Sequence, residues 1–160
     1  MVTPAKTPRS LDIPDDRIVR FDLWTTVAFT AVQVVAAALP DTFALVSVVV
    51  SLVLFLVGSL AFLWGFAVAI GRSQYEVVTL GGLFFLGEDT APADIRRALR
   101  VLLAVQVVVA VVAASVRPFS ELAFGILVPM LGLGLITLWA ARHGRFAGKD
   151  EPAEPGSPRQ

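Results

Sequence analysis

The chain has 160 residues with 13 basic and 13 acidic side chains, and it is 56% hydrophobic but only 16% charged. The balanced charge provides no basic stripe of the kind that binds nucleic acid, and the absence of cysteine excludes disulfides, thiolate nucleophiles and cysteine-ligated metals. Soluble domains average about 45–50% apolar and about 25% charged residues, so this composition points to an integral membrane protein.

Runs without charged residues predict an all-α fold with four transmembrane helices, since about 20 apolar residues in helical form cross a bilayer core. A transmembrane domain is predicted over 21–143, with spans at about 22–39, 43–71, 97–116 and 120–141. The segments 1–20 and 144–160 are expected to be largely disordered. A cleaved signal peptide is the alternative for the first span, but several aspartates precede that span and Gln33 interrupts it.

Basic residues are unevenly distributed among the predicted loops. Twelve of the 13 lie in the N-terminal segment, the middle loop or the C-terminal tail, and only Arg117 lies in an outer turn. Cytoplasmic loops carry the excess of Lys and Arg, so both termini and the middle loop are expected in the cytoplasm and the spans form two hairpins. Arginine outnumbers lysine 11 to 2, which is typical of GC-rich genomes and favours a bacterial inner (plasma) membrane.

The two predicted hairpins share a five-residue sequence, because Ala31–Val35 and Ala104–Val108 both read AVQVV. Near its end each hairpin also contains a Leu-Trp pair and, several residues later, a Gly-Arg pair. A duplication would give two parallel repeats related by an axis along the membrane normal. Chance is the alternative, since spans rich in alanine and valine match one another easily.

Two glutamines and one proline are the candidate functional positions inside the spans. Gln33 and Gln106 are predicted to form an intramembrane polar pair, which either joins two helices or lines a permeation or lipid path. Pro129 is the candidate helix break, which is either a plain kink or part of a transport site. The charge-free runs that define the spans contain no carboxylate, lysine, arginine or histidine, and this absence disfavours a proton-coupled transporter.

The cytoplasmic middle loop contains an uncharged stretch, Val77–Gly87, that is too short to cross the membrane as a helix. It is predicted to be a short β-hairpin, because paired glycines suit a tight primed turn, or an interfacial segment broken at the glycines; an unstructured loop is the third alternative. An apolar patch rimmed by charges often marks a contact surface, although the stretch could equally plug the bundle. The candidate docking segment is Leu80, Gly81, Gly82, Leu83, Phe84 and Phe85.

No catalytic residue, metal site or cofactor is predicted, since the single histidine, His143, offers no ligand cluster and no phosphate-binding loop occurs. The protein is therefore not expected to be an enzyme. The leading hypothesis is an accessory or scaffold subunit of a membrane assembly. The rival is a small oligomeric transporter or channel for a neutral or lipidic molecule. The expected partners are the lipid bilayer and either another membrane protein or a second copy of the chain; no nucleic acid is expected.

Overall fold

A computed structural model describes residues 16–73, 84, 86, 90–116 and 118–144. Within these ranges the chain is all-helical and contains no strand, and four of its helices are long and apolar enough to cross a membrane. The elements are α1 (Arg17–Ala38), α2 (Pro40–Arg72), α3 (Ala93–Val116), the 3-10 helix η1 (Glu121–Leu127) and α4 (Pro129–His143). The last apolar span, Glu121–His143, consists of η1 and α4 together. The predictions of an all-α fold and of four apolar helices are confirmed.

Some of the sequence predictions fall on other parts of the chain. The β-hairpin or interfacial segment lies mostly outside the described residues, and Phe84 is the one described member of the candidate docking segment. The predicted disorder of the two terminal segments also concerns residues outside the described ranges, apart from residues 16–20 and 144.

Helix ends are set by local capping rather than by the edges of the charge-free runs. Asp16 is the N-cap of α1, and its side chain accepts a hydrogen bond from the N–H of Ile18 at 2.8 Å. This cap starts α1 at Arg17 rather than near residue 22. Only Leu39 separates α1 from α2, which has Pro40 in its first turn, where the missing N–H costs no intrahelical bond.

One end of the bundle contains a hydrophobic cluster to which all four long helices contribute. Val19 and Leu99 lie near the beginnings of α1 and α3, whereas Ala69 and Trp139 lie near the ends of α2 and α4. We call this end the basic end, because every arginine in the described ranges lies in helical turns near it: Arg17, Arg20, Arg72, Arg96, Arg97, Arg100 and Arg142.

The packing of α2 against α4 depends on small side chains. The buried residues of α2 are all small: Ser47, Ser51, Gly58, Gly65 and Ala69. A Cβ atom added at Gly65 would lie 2.8 Å from the backbone nitrogen of Leu138, and one added at Gly134 would collide with the carbonyl oxygen of Gly58. The two backbones are therefore in contact, as small residues allow in membrane bundles.

Pro129 explains why the fourth span is not one continuous α-helix. In such a helix the N–H of residue 129 would bond to the carbonyl of Gly125, but proline has no N–H and its ring clashes with that carbonyl. The N–H of Val128 bonds to the Gly125 carbonyl instead, at 3.0 Å, which closes a tighter 3-10 turn. The structure thus places Pro129 at the junction of η1 and α4.

Candidate functional site

The helix α1 turns a partly polar face into the bundle. Its buried residues recur at intervals of three or four, which places them on one side of a helix. They are Val19, Asp22, Thr26, Phe29, Gln33 and Ala36. Along α1 the fully buried Phe29 separates Asp22 and Thr26 from Gln33, so the polar groups of this face belong to two different clusters.

The first cluster consists of Asp22, Thr26, Gln106 and Gly132, and we call it the Gln106 cluster. The Nε2 atom of Gln106 donates hydrogen bonds to Asp22 Oδ1 and to Thr26 Oγ1, both at 2.8 Å. Its Oε1 atom accepts a hydrogen bond from the backbone N–H of Gly132 at 3.2 Å. Since all four residues are buried, one side chain of α3 binds α1 and α4 together in the bundle interior.

The bond from Gly132 follows from the helix break at Pro129. The first N–H groups of a helix have no partner within it, and near the start of α4 the N–H of Leu131 bonds to Val128 at 2.8 Å while that of Gly132 bonds to Gln106. A Cβ atom at position 132 would lie 2.8 Å from Gln106 Oε1. The absence of a side chain at Gly132 therefore allows the amide to reach the helix start.

Asp22, which directly precedes the first charge-free run, lies within α1 and is fully buried. The reason is that α1 begins at Arg17, and the spacing from Asp22 to Thr26 puts the carboxylate on the inward face. Gln106 bonds Oδ1, whereas Oδ2 is buried without a partner.

The second cluster consists of Gln33, Ser47 and Ser51, and we call it the Gln33 cluster. Ser47 Oγ donates a hydrogen bond to Gln33 Oε1 at 3.0 Å, which joins α1 to α2. Gln33 Nε2 and Ser51 Oγ are buried without a hydrogen-bond partner. The amide of Gln33 lies against Gly125 in η1, where an added Cβ atom would collide with Nε2.

The two predicted glutamines therefore have separate partners. The structure gives Gln106 three hydrogen bonds to α1 and α4, and it gives Gln33 one hydrogen bond to α2. Neither amide bonds to the other. Both residues are buried, but the predicted pairing of the two amides is not formed, because each amide faces polar groups on other helices.

Comparison of the chain with protein-family models, with curated proteins and with solved structures found no match. No function is therefore transferred from a relative, and the functional interpretation depends on the geometry of the two clusters and of the surface around them.

The described part of the candidate docking segment is attached to the bundle. The ring of Phe84 stacks on that of Phe62 in α2, with centroids 5.7 Å apart and planes 11° apart, and it packs against the hydrophobic cluster of the basic end. Two residues further on, Leu86 is fully buried and its carbonyl accepts a hydrogen bond from Arg100 at 3.2 Å.

Sequence reasoning missed a second polar connection, between Asp16 and Trp139. The buried indole of Trp139 donates a hydrogen bond from Nε1 to Asp16 Oδ2 at 2.7 Å, and its ring also contacts His143 with centroids 5.5 Å apart. The N-cap of α1 is thereby bound to the last turns of α4. Within the described ranges no group of three or more His, Cys, Asp or Glu side chains could hold a metal ion.

Proposed function

We propose that the protein is a small four-span membrane protein without catalytic chemistry, acting as an accessory or scaffold subunit of a membrane assembly. The observation that carries this proposal is the use of interior polar groups to hold helices together. The amide of Gln106 bonds to α1 and α4, and Gly58 and Gly134 bring α2 and α4 into backbone contact. Because the interior polar groups hold helices together, we assign the protein's function to contacts made by its outer surface.

The membrane placement proposed here is a bacterial inner membrane, with both termini in the cytoplasm and the helices arranged as two hairpins. The arginines at the basic end support it, because cytoplasmic ends carry the excess of Lys and Arg. The opposite end, where α2 and η1 begin, carries the acidic Asp41 and Glu121. A reporter fused after Gln160 should be active in the cytoplasm and one inserted at Asp41 outside it. A cytoplasmic reporter at Asp41 would contradict this placement.

The proposed contact with a partner is the docking segment, whose described residue Phe84 lies beside Phe62. The ring of Phe84 packs on α2 and on the hydrophobic cluster, so its contacts are made within the protein. We assign the partner contact to the neighbouring Phe85, since aromatic anchors supply much of the binding energy of interfaces. The two adjacent phenylalanines should therefore differ in what their removal does.

This difference is tested by purifying the full chain in a mild detergent and identifying the proteins that accompany it. Phe84→Ser should lower the thermal stability of the purified protein, whereas Phe85→Ser should leave it folded and release the partner. Phe119→Ser is the matched control, because Phe119 is fully exposed at the other end of the bundle, and it should change neither property. Normal stability and unchanged partners in both docking variants would contradict the proposed docking role.

A second candidate function is a small oligomeric transporter or channel for a neutral or lipidic molecule. Three buried polar atoms without partners favour it: Asp22 Oδ2, Gln33 Nε2 and Ser51 Oγ. Polar groups inside a membrane often mark a substrate or ion path. A stable homo-oligomer that accelerates glycerol-driven swelling of proteoliposomes would support this candidate, whereas a stoichiometric protein partner and no swelling would support the accessory subunit.

A further inference from the structure

A surface groove of about 410 Å³ runs along one face of α3 at the basic end. The lining residues lie on one side of the helix, because they recur at intervals of one, three or four positions. They are Ala93, Arg96, Arg97, Arg100, Val101 and Ala104. The groove therefore combines three guanidinium groups with small apolar side chains.

Two of the three arginines are available to a ligand. In the described part of the chain the structure records no hydrogen bond or ion pair for the guanidinium group of Arg96 or Arg97, and Arg97 is exposed whereas Arg96 is half-buried. Arg100 is already engaged, since it donates a hydrogen bond to the carbonyl of Leu86. The exposed Asp94 lies in the same turn but forms no ion pair with Arg96 or Arg97. Two adjacent cations at one mouth of the groove are thus without an ion-pair partner among the described residues.

The groove changes from cationic to apolar along α3. From Ala93 to Ala104 the helix rises by about 16 Å, and the arginines occupy the first part of that distance. Beyond the arginines the same side of α3 continues with exposed valines, Val101, Val105 and Val108. A molecule with a negatively charged head and an apolar tail matches this order of residues.

We propose that this groove binds an anionic phospholipid of the cytoplasmic leaflet, with its phosphate at Arg96 and Arg97 and an acyl chain along the valines. Guanidinium groups bind phosphate oxygens with paired, charge-assisted hydrogen bonds. The exposed valines favour a lipid over a soluble phosphate, because a free phosphate has no acyl chain that could pack against them. The site rests on the proposed membrane placement, but it does not depend on the accessory role or on a protein partner.

The test uses the full chain in mild detergent, mixed with equal amounts of phosphatidylglycerol and phosphatidylcholine and examined by native mass spectrometry. The wild-type protein should retain phosphatidylglycerol preferentially. Replacing both Arg96 and Arg97 with glutamine should reduce this preference roughly 25-fold, since each arginine near an anionic headgroup contributes about a fivefold gain in binding. The single variant Arg97→Gln should lose part of the lipid preference. Because Arg97 is exposed, this variant should fold, and it tests the site even if the double variant does not fold.

The matched control replaces Arg17 and Arg142 with glutamine, because both are exposed arginines at the same end of the bundle but lie on α1 and α4. This control should keep the lipid preference. An equal loss in the control and in the groove variant would overturn the site, since it would show only a general attraction to positive charge. Displacement of phosphatidylglycerol by millimolar inorganic phosphate would also overturn it, because the ligand would then be a soluble phosphate.

Discussion

The Gln106 cluster and the Gln33 cluster contain the same amide side chain in the same local sequence, yet they differ in how completely the amide is bonded. Gln106 uses both its nitrogen and its oxygen, and it connects α3 with α1 and α4. Gln33 uses its oxygen alone, through Ser47, and its nitrogen is buried without a partner. The first glutamine joins three helices and the second joins two.

The surrounding helices, rather than the AVQVV sequence, therefore decide the role of each amide. Gln106 faces a helix start, which offers an unbonded N–H, and it also faces Asp22 and Thr26 on α1. Gln33 faces the serines of α2 and the 3-10 segment η1, where Gly125 lies against its amide nitrogen. A fully bonded buried amide stabilises a membrane bundle, whereas a partly bonded one contributes little.

The largest expected effect comes from removing each amide. In Gln106→Leu three buried groups lose their hydrogen bond to the amide: Asp22 Oδ1, Thr26 Oγ1 and the N–H of Gly132. The free energy of unfolding should therefore fall by about 2–3 kcal/mol. Gln33→Leu removes one bond and one unpartnered donor, so its cost should stay below about 1 kcal/mol. Equilibrium unfolding of both variants in the same detergent measures the difference. Equal losses would mean that the two clusters stabilise the fold alike.

A smaller effect is expected from adding a methyl group beside each amide. In Gly132→Ala the new Cβ atom meets Gln106 Oε1 at 2.8 Å, and that amide is held by its other bonds, so we expect a loss of about 1–2 kcal/mol. In Gly125→Ala the methyl group collides with the nitrogen of Gln33, whose amide has only the bond from Ser47 to lose when it shifts. That variant should lose less than about 1 kcal/mol. A larger loss for Gly125→Ala than for Gly132→Ala would contradict the assignment of the rigid amide to Gln106.

The smallest effects are coupling energies from double-mutant cycles. Gln106→Leu with Thr26→Val should be coupled by about 0.6–1.5 kcal/mol, because the two side chains share a hydrogen bond. Gln33→Leu with Gln106→Leu should be additive within about 0.3–0.5 kcal/mol, since the two amides do not touch. Strong coupling between the two glutamines would show that they bond to each other after all.

Much of the helical framework could be predicted from the distribution of charge. The charge-free runs identify all four apolar helices, since uninterrupted apolar length is what a bilayer requires. The helix ends are less accurate, because they depend on caps: Asp16 starts α1 at Arg17, and Pro40 lies in the first turn of α2. Pro129 correctly marks an irregular point in the last span, because the missing N–H is a property of that residue alone.

The candidate site could be predicted only in part. Gln33 and Gln106 stand out as polar residues in apolar runs, but their partners lie on other helices and depend on how those helices are rotated. Asp22 lies at the edge of an apolar run, so the distribution of charge alone does not predict that it is buried. Its spacing from Thr26 and Gln33 is the signal that could have placed it on the inward face, since those positions share one side of a helix.

The most direct test of the central claim, that Gln106 joins α1, α3 and α4, is a nuclear Overhauser measurement on the folded protein in detergent micelles. The side-chain amide protons of Gln106, assigned by their disappearance in Gln106→Leu, should show cross-peaks to the side chain of Thr26 and to the backbone amide proton of Gly132. Cross-peaks from those protons to the side chain of Gln33, with none to Thr26 or Gly132, would contradict the claim.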